Sequence, residues 1–202
     1  VNEVNIGLTK SLNKGITAID TDYIARMDSD DVSRPDRFAV QSEFLDTHKD
    51  VAVIGAYIQE FSDICENLGV RKFPLDTDGA KKLIYKANPL AHPAVMMRKS
   101  MFDDGISYDE NYRTSQDLAL WFDILTAGYN VANIDKVLLN FRRNDSVYKR
   151  RSNRKDSNLE FKVHEKGIYK LFGISPYKSL FPIDIFSDSF LLLLFVCYTM
   201  EK

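Results

Sequence analysis

The sequence predicts an α/β fold, a mixed sheet flanked by helices. Stretches with apolar residues at helical spacing alternate along the chain with short β-rich apolar runs. One of those runs, Tyr23 to Met27, reads as a buried strand that ends abruptly in Asp28, Asp30 and Asp31, three carboxylates in four residues. Open α/β sheets put their ligand sites beyond the carboxyl ends of strands. At 202 residues, with 45% hydrophobic and 28% charged residues, the chain can also bury a substantial core.

Taken in order, Leu8, Leu12, Ile16 and Ile19 mark an amphipathic helix from Gly7 to Ile19. After the acidic strand end, Ser33 is the expected cap and Pro35 a first-turn residue of a helix running to Lys49, with Phe38, Phe44 and Leu45 on its apolar face. Val51 to Phe61 reads as a strand, Glu66 to Gly69 as a turn and Val70 to Phe73 as the returning hairpin partner. A helix over Thr77 to Lys86 is broken by Asn88-Pro89, and His92 to Arg98 reads as a short buried strand. Gly105 to Arg113 is polar and loop-like. Ser115 is positioned to cap a helix from Gln116 to just before Gly128, with Leu118, Trp121, Phe122 and Leu125 inward. Two short strands, Val131 to Ile134 and Val137 to Phe141, precede a basic stretch and a helix over Asn158 to Leu171.

The net charge of −2 excludes little, but its distribution is uneven. Arg142 to Lys155 holds seven basic residues against Asp145. Its one interleaved aromatic, Tyr148, and the lack of a recognisable motif argue against nucleic acid. Cys65 and Cys197 have no metal-ligand spacing and read as free thiols of a reducing cytoplasm. Phe190 to Met200 is almost wholly apolar, yet 11 residues are too few to span a bilayer. A buried terminal helix and a segment in the membrane interface, at the inner face of the cell membrane, are both compatible with it. The chain starts at Val1 in mid-element, the pattern expected of a fragment.

Crowded carboxylates need a cation or an ordered hydrogen-bond network to stay ionised. Asp28, Asp30 and Asp31 therefore suggest Mg²⁺ or Mn²⁺ with a diphosphate, against the alternative of a solvated acidic turn. An EF-hand is excluded, because Ser33 and Ala39 stand where the loop needs Gly and Glu. Asp117, at a helix start, is a candidate general base or an ordinary first-turn acid. His92 is a candidate metal or phosphate contact or a satisfied core residue. His48 and His164 fall at helical positions expected to be exposed. Arg142 and its basic neighbours could hold phosphates or form a solvated loop.

As an ordered set these motifs resemble the family 2 glycosyltransferases of the GT-A fold, the kind that build bacterial surface polysaccharides. The resemblance runs from Asn5-Ile6-Gly7-Leu8 and Leu12-Asn13-Lys14-Gly15 through Ala25 to Asp31, Pro35-Asp36-Arg37-Phe38 and Gln41. It continues through His92-Pro93, Gln116-Asp117-x-x-Leu120-Trp121 and Phe141-Arg142. It implies a GT-A-like sheet, incomplete at its N-terminus, over residues 1–150, with 151–202 a helical extension ending in the apolar tail. It also implies an inverting transfer from a nucleotide-diphosphate sugar, UDP-linked, to a glycan or lipid-linked acceptor. By resemblance Asp30, the leading one, and Asp28 are metal ligands, Asp28 lies near the ribose or sugar, Asp31 near the donor sugar, and Asp117 is the base. His92, Gln116, Trp121 and Arg142 are the expected substrate contacts. Gln116 replaces the family's usual Glu, and Asn144 stands where many relatives carry His. The family's first strand, its Pro-x-Tyr-Asn loop and its base-reading acid have no counterpart, which implies as an alternative a truncated, inactive remnant serving as a binding module. A metal-dependent nucleotidyltransferase would not account for the Asp117-x-x-Leu120-Trp121 motif.

Overall fold

The computed structural model describes residues 2–143 and 154–174. Helix α1 (Leu8–Thr17) leads into strand β1 (Tyr23–Ala25) and the short β2 (Val32–Ser33). Helix α2 (Arg37–Thr47), strand β3 (Val51–Phe61) and strand β4 (Gly69–Arg71) follow, then helix α3 (Thr77–Leu83). A 3₁₀ turn at His92–Ala94 enters strand β5 (Met96–Arg98), continued by helices α4 (Lys99–Asp103) and α5 (Gln116–Thr126). Strand β6 (Asn130–Arg142) and helix α6 (Arg154–Phe172) complete the described chain.

Among the described residues the sheet order is β1-β5-β3-β6-β2, with β4 also paired to β3. The centre is β3, buried along nearly its whole length, as its continuous apolar run requires of a strand covered on both faces. It runs parallel to β6 and antiparallel to β5, which is itself antiparallel to β1. Strands β1, β3 and β6 therefore point the same way, and their carboxyl ends gather at one rim. This mixed sheet with flanking helices is the α/β architecture expected.

The main core packs α5, through Leu118, Trp121, Phe122 and Leu125, against Ile24, Val53, Met97 and Leu90. Val163 of α6 joins the same cluster. The close approach of α6 to α5 depends on Gly167, where a Cβ would fall 2.2 Å from Phe122 Cδ2. The expected extension therefore shares its core with the sheet domain through Val163, Ile168, Leu171 and Phe172, while the division at residue 150 and the apolar tail lie outside the described residues.

Several expected elements differ. Met27 is exposed and β1 stops at Ala25, because the chain turns outward into the acidic loop. Ser33 belongs to β2 rather than capping α2, and Asp36, the residue before that helix, spends its carboxylate on Lys136 at 2.6 Å. Phe38 and Leu8 face solvent. Leu45 faces inward as expected, but the rest of its stripe is Arg37 and Gln41, one residue per turn with two of the three polar. The segment from His92 is a 3₁₀ turn before it becomes a strand, as Pro93 allows. The two strands expected over 131–141 are one: Ala56 pairs with Ile134 and Tyr57 with Val137, so Asp135 and Lys136 are accommodated as a bulge. His164 is half-buried, and desolvation holds its imidazole below the usual range.

Candidate functional site

The rim is built from the turns that follow three parallel strands. After β1, Arg26 donates to both oxygens of Asp28, Nη1 to Oδ2 at 2.8 Å and Nη2 to Oδ1 at 2.5 Å. At the end of β6 the Arg142 main-chain N–H donates to Asp31 Oδ1 at 2.9 Å, and its Nε donates to the Asp30 carbonyl at 3.1 Å. Its guanidinium also pairs with Asp63, just past β3, and lies over the Phe61 ring at 4.6 Å. Arg142 thus ties the acidic loop to the ends of β3 and β6, so its side chain is already committed to three structural contacts.

The three acids differ in environment. Asp30 is exposed, Asp28 is half-buried beneath its arginine, and Asp31 is only 7% exposed. Burial pushes the Asp31 carboxyl up to about 6, with further upward pushes from Asp28 and Asp30 that the Arg142 amide and Arg26 only partly offset. Asp31 Oδ2 is buried with no hydrogen-bond partner. An orphaned carboxylate oxygen beside two like charges leaves an acceptor that a cation or a hydroxyl donor of a bound ligand could satisfy. Among the described residues no three acids, histidines or cysteines converge to form an all-protein cage.

The loop is held from beneath by a side chain to which the sequence reading gave no separate role. Arg37, fully buried, donates Nη2 to the Arg26 carbonyl at 2.8 Å and Nη1 to the Pro93 carbonyl at 3.0 Å. It also reaches the Val95 carbonyl at 3.1 Å and Gln41 Oε1 at 3.0 Å. Desolvation brings its guanidinium down to about 10, still charged at neutral pH. Gln41 in turn donates to the carbonyls of Ala94 and Ile54 at 2.8 and 3.2 Å. Both residues sit on the buried stripe of α2, so the polar face of that helix fixes the acidic loop against the 3₁₀ turn.

The second half of the site surrounds Asp117. It is the second residue of α5 and is preceded by Ser115 at φ 57°, the one non-glycine with positive φ among the described residues. Ser115 starts the helix where expected, but its side chain makes no capping bond. A left-handed serine costs about 1–2 kcal/mol, and such strain concentrates at functional sites. Asp117 Oδ2 accepts from Asn88 Nδ2 at 3.0 Å. Gln116 is half-buried beside it.

His92 and Trp121, expected as substrate contacts, are placed in the interior. His92 is 6% exposed, its Nε2 lies 2.7 Å from the Tyr108 hydroxyl, and burial holds it neutral, well below the usual range. Trp121 is fully buried edge-on to His92 at 5.9 Å, so both shape the floor beneath the rim. Arg26 links the two halves: its charge is felt at Asp31, His92 and Tyr108, while Asp117 is felt at Tyr108. Asn88, Tyr108 and Asp63 were missed from sequence, because each acts through a partner distant in the chain. The Asn88-Pro89 pair read only as a helix breaker.

Residues 1–106 match the model of glycosyl transferase family 2, more than half of the chain. The chain belongs to that family. It is 33% identical over 150 residues to the amylovoran biosynthesis glycosyltransferase AmsE of Erwinia amylovora, a match covering 74% of this chain and 56% of that relative. It is 31% identical over 161 residues to the UDP-Gal:alpha-D-GlcNAc-diphosphoundecaprenol beta-1,3-galactosyltransferase of Escherichia coli, covering 80% and 58%. Among solved structures it resembles residues 1–349 of TarS from S. aureus, with a TM-score of 0.54, 16% identity and coverage of 89% and 56%. The same protein in complex with UDP-GlcNAc gives 0.53 and 14% identity, with coverage of 86% and 55%. The likeness to TarS establishes the shared fold. The chain spans a little over half the length of these relatives. Among the described residues no helix is long and apolar enough to cross a membrane.

Proposed function

We propose that this family 2 chain carries the metal- and acceptor-side part of an inverting transferase that builds surface polysaccharide. It moves a sugar from a nucleotide-diphosphate donor, UDP-linked, to a hydroxyl of a glycan or lipid-linked acceptor. The observation that carries the reading is Asp31 Oδ2, a buried and unpaired carboxylate oxygen in an acidic loop at the carboxyl end of β1. The UDP-GlcNAc complex of a protein with the same fold and the UDP-Gal donor named for a relative support the donor class.

Asp30 and Asp28 would hold Mn²⁺ or Mg²⁺, which supplies positive charge to the departing diphosphate. Asp31 orients the donor sugar from the buried side of the loop. Asp117 accepts the proton of the attacking hydroxyl as its oxygen bonds to the anomeric carbon and the bond to the diphosphate oxygen breaks. A single in-line displacement of this kind inverts the anomeric centre. His92 and Trp121 support the floor, and Arg142 keeps the acidic loop in register while its guanidinium borders the diphosphate. A lipid-linked acceptor would put the reaction at the cytoplasmic face of the membrane, with the basic stretch and apolar tail as the contact; both lie largely outside the described residues.

The test is UDP release and product formation from UDP-galactose, UDP-glucose and UDP-GlcNAc with Mn²⁺ and a diphospholipid-linked sugar acceptor, using the full-length gene product. Asp30→Ala should abolish metal-dependent turnover, and retained Mn²⁺-dependent activity would refute the metal assignment. Asp117→Asn should stop transfer with donor affinity nearly intact, whereas a large loss of donor affinity would mark Asp117 as structural.

A further inference from the structure

We infer that Asn88 is a positioning residue for Asp117, holding its carboxylate toward the acceptor hydroxyl through one directed amide bond. The inference rests on the reading of Asp117 as the base. A carboxylate can only accept, so the 3.0 Å contact fixes the amide with Nδ2 toward Asp117 and Oδ1 away from it. That leaves Asn88 Oδ1 buried without a partner. A buried unpaired carbonyl costs about 1–3 kcal/mol, a cost Asn88 shares with Asn133 and Asn140; what distinguishes Asn88 is that its amide donates to a carboxylate at a helix start. The amide of Asn88 is directed at a half-buried acid, Asp117.

Both partners stand on restrained backbone. Asn88 precedes Pro89, which limits it to extended conformations. Asn133 of β6 donates to the Pro89 carbonyl at 3.1 Å and the Pro74 carbonyl at 2.7 Å, pinning that segment to the sheet. Leu90 and Ala91 then enter the core. On the other side, the left-handed Ser115 sets the direction in which α5 begins. Two segments 29 residues apart are thus each held by the fold so that one amide meets one carboxylate. An amide donor stabilises the ionised carboxylate without adding charge, which keeps it ready to accept a proton. Tyr108 feels the charges of both Asp117 and Arg26, and changes at Asn88 leave these groups intact.

The experiment compares wild type with Asn88→Leu and Asn88→Asp in the full-length gene product. Asp117 is followed by carboxyl ¹³C NMR titration, stability by thermal unfolding, and kcat and KM by Mn²⁺-dependent UDP release from whichever of UDP-galactose, UDP-glucose and UDP-GlcNAc supports transfer. Asn88→Leu should raise the Asp117 pKa and lower kcat by about 10-fold or more with KM changed by less than about threefold. Its Tm should stay within about 2 °C of wild type, because the unpaired Oδ1 is removed along with the bond. Asn88→Asp should raise the Asp117 pKa further and move the acid limb of the pH–rate profile upward. An Asp117 titration identical in all three proteins overturns the inference, as does a large Tm loss with kcat unchanged. If the titration moves as expected but no donor supports transfer, the Asn88–Asp117 hold stands and the transferase reading falls.

Discussion

Replacing Arg37 by methionine tests whether a buried cation, rather than apolar packing, holds the acidic loop in place. The guanidinium is fully buried and makes four hydrogen bonds, three of them to main-chain carbonyls. The Val95 carbonyl would keep its bond from the Arg26 N–H at 3.1 Å. The carbonyls of Arg26 and Pro93 and Gln41 Oε1 would lose their donor, at about 1–3 kcal/mol each before relaxation. Against this, removing the buried charge returns its desolvation cost, itself several kcal/mol and visible in the fall of the guanidinium to about 10. The net expectation is a loss of about 2–4 kcal/mol, read by urea unfolding with an unchanged m value. Arg37→Lys keeps the charge but not the planar fork, and should recover less than half of it. The loop consequence is separate: Mn²⁺ binding followed by electron paramagnetic resonance should weaken in Arg37→Met, since the Arg26 carbonyl at the root of Asp28 is released. A stability change below about 0.5 kcal/mol with metal binding intact would refute the reasoning.

Asp31→Asn should stabilise the chelator-treated protein at neutral pH. A carboxyl raised from 3.8 to about 6 is protonated more readily folded than unfolded, so it lowers stability as pH rises through that window and the full penalty holds above it. The shift corresponds to at most about 3 kcal/mol, which access of solvent to the neighbouring Asp28 and Asp30 reduces to about 1–2 kcal/mol. Buried His92 acts oppositely, its depressed pKa costing stability as pH falls below 6.5. It is present in both proteins, so the difference between their urea midpoints at pH 7.5 and pH 4 isolates Asp31, and an equal difference at both would contradict the assignment. Gly167→Ala should destabilise by about 1–2 kcal/mol despite alanine's better helix propensity, because its Cβ collides with the Phe122 ring. Adding Phe122→Leu should recover part of that loss in a double-mutant cycle, and strictly additive effects would show that α6 adjusts freely.

What the sequence made legible was whatever a local pattern encodes. The uninterrupted apolar run of β3, the alternation of helices with strands and the helix start at Gln116 all follow from residues adjacent to one another. The failures share a cause. Ser33 looked like a helix cap because its side chain suits that task, but it pairs with β6 instead, and Asp36, the residue before the helix, is held by Lys136 of the same strand. Asp135-Lys136 looked like a break between strands, yet backbone pairing with β3 carries through it as a bulge. Phe38 looked like the inward face of α2, where Arg37 and Gln41 join Leu45 instead.

That last inversion bears on how the site is built. A helix that buries an arginine and a glutamine gives up apolar burial, worth about 1.5–3 kcal/mol for each large side chain. It gains directional contacts to five main-chain carbonyls, on the loop after β1, the 3₁₀ turn, the entry to β5 and the middle of β3. Apolar packing would have tolerated small slips of those segments, whereas a saturated hydrogen-bond network allows one arrangement. The acids of the loop repel one another and Asp31 is left with an unpaired oxygen, so the loop is held from outside itself, through Arg37 and Gln41 below, Arg26 at its root and Arg142 at its far end. The Asp117 half is made the same way, with a strained serine and a half-satisfied asparagine placing one carboxylate. In both halves unfavourable local choices are compensated by contacts to the rigid sheet, which is the arrangement expected where geometry at the rim matters more than the stability of the residues that form it.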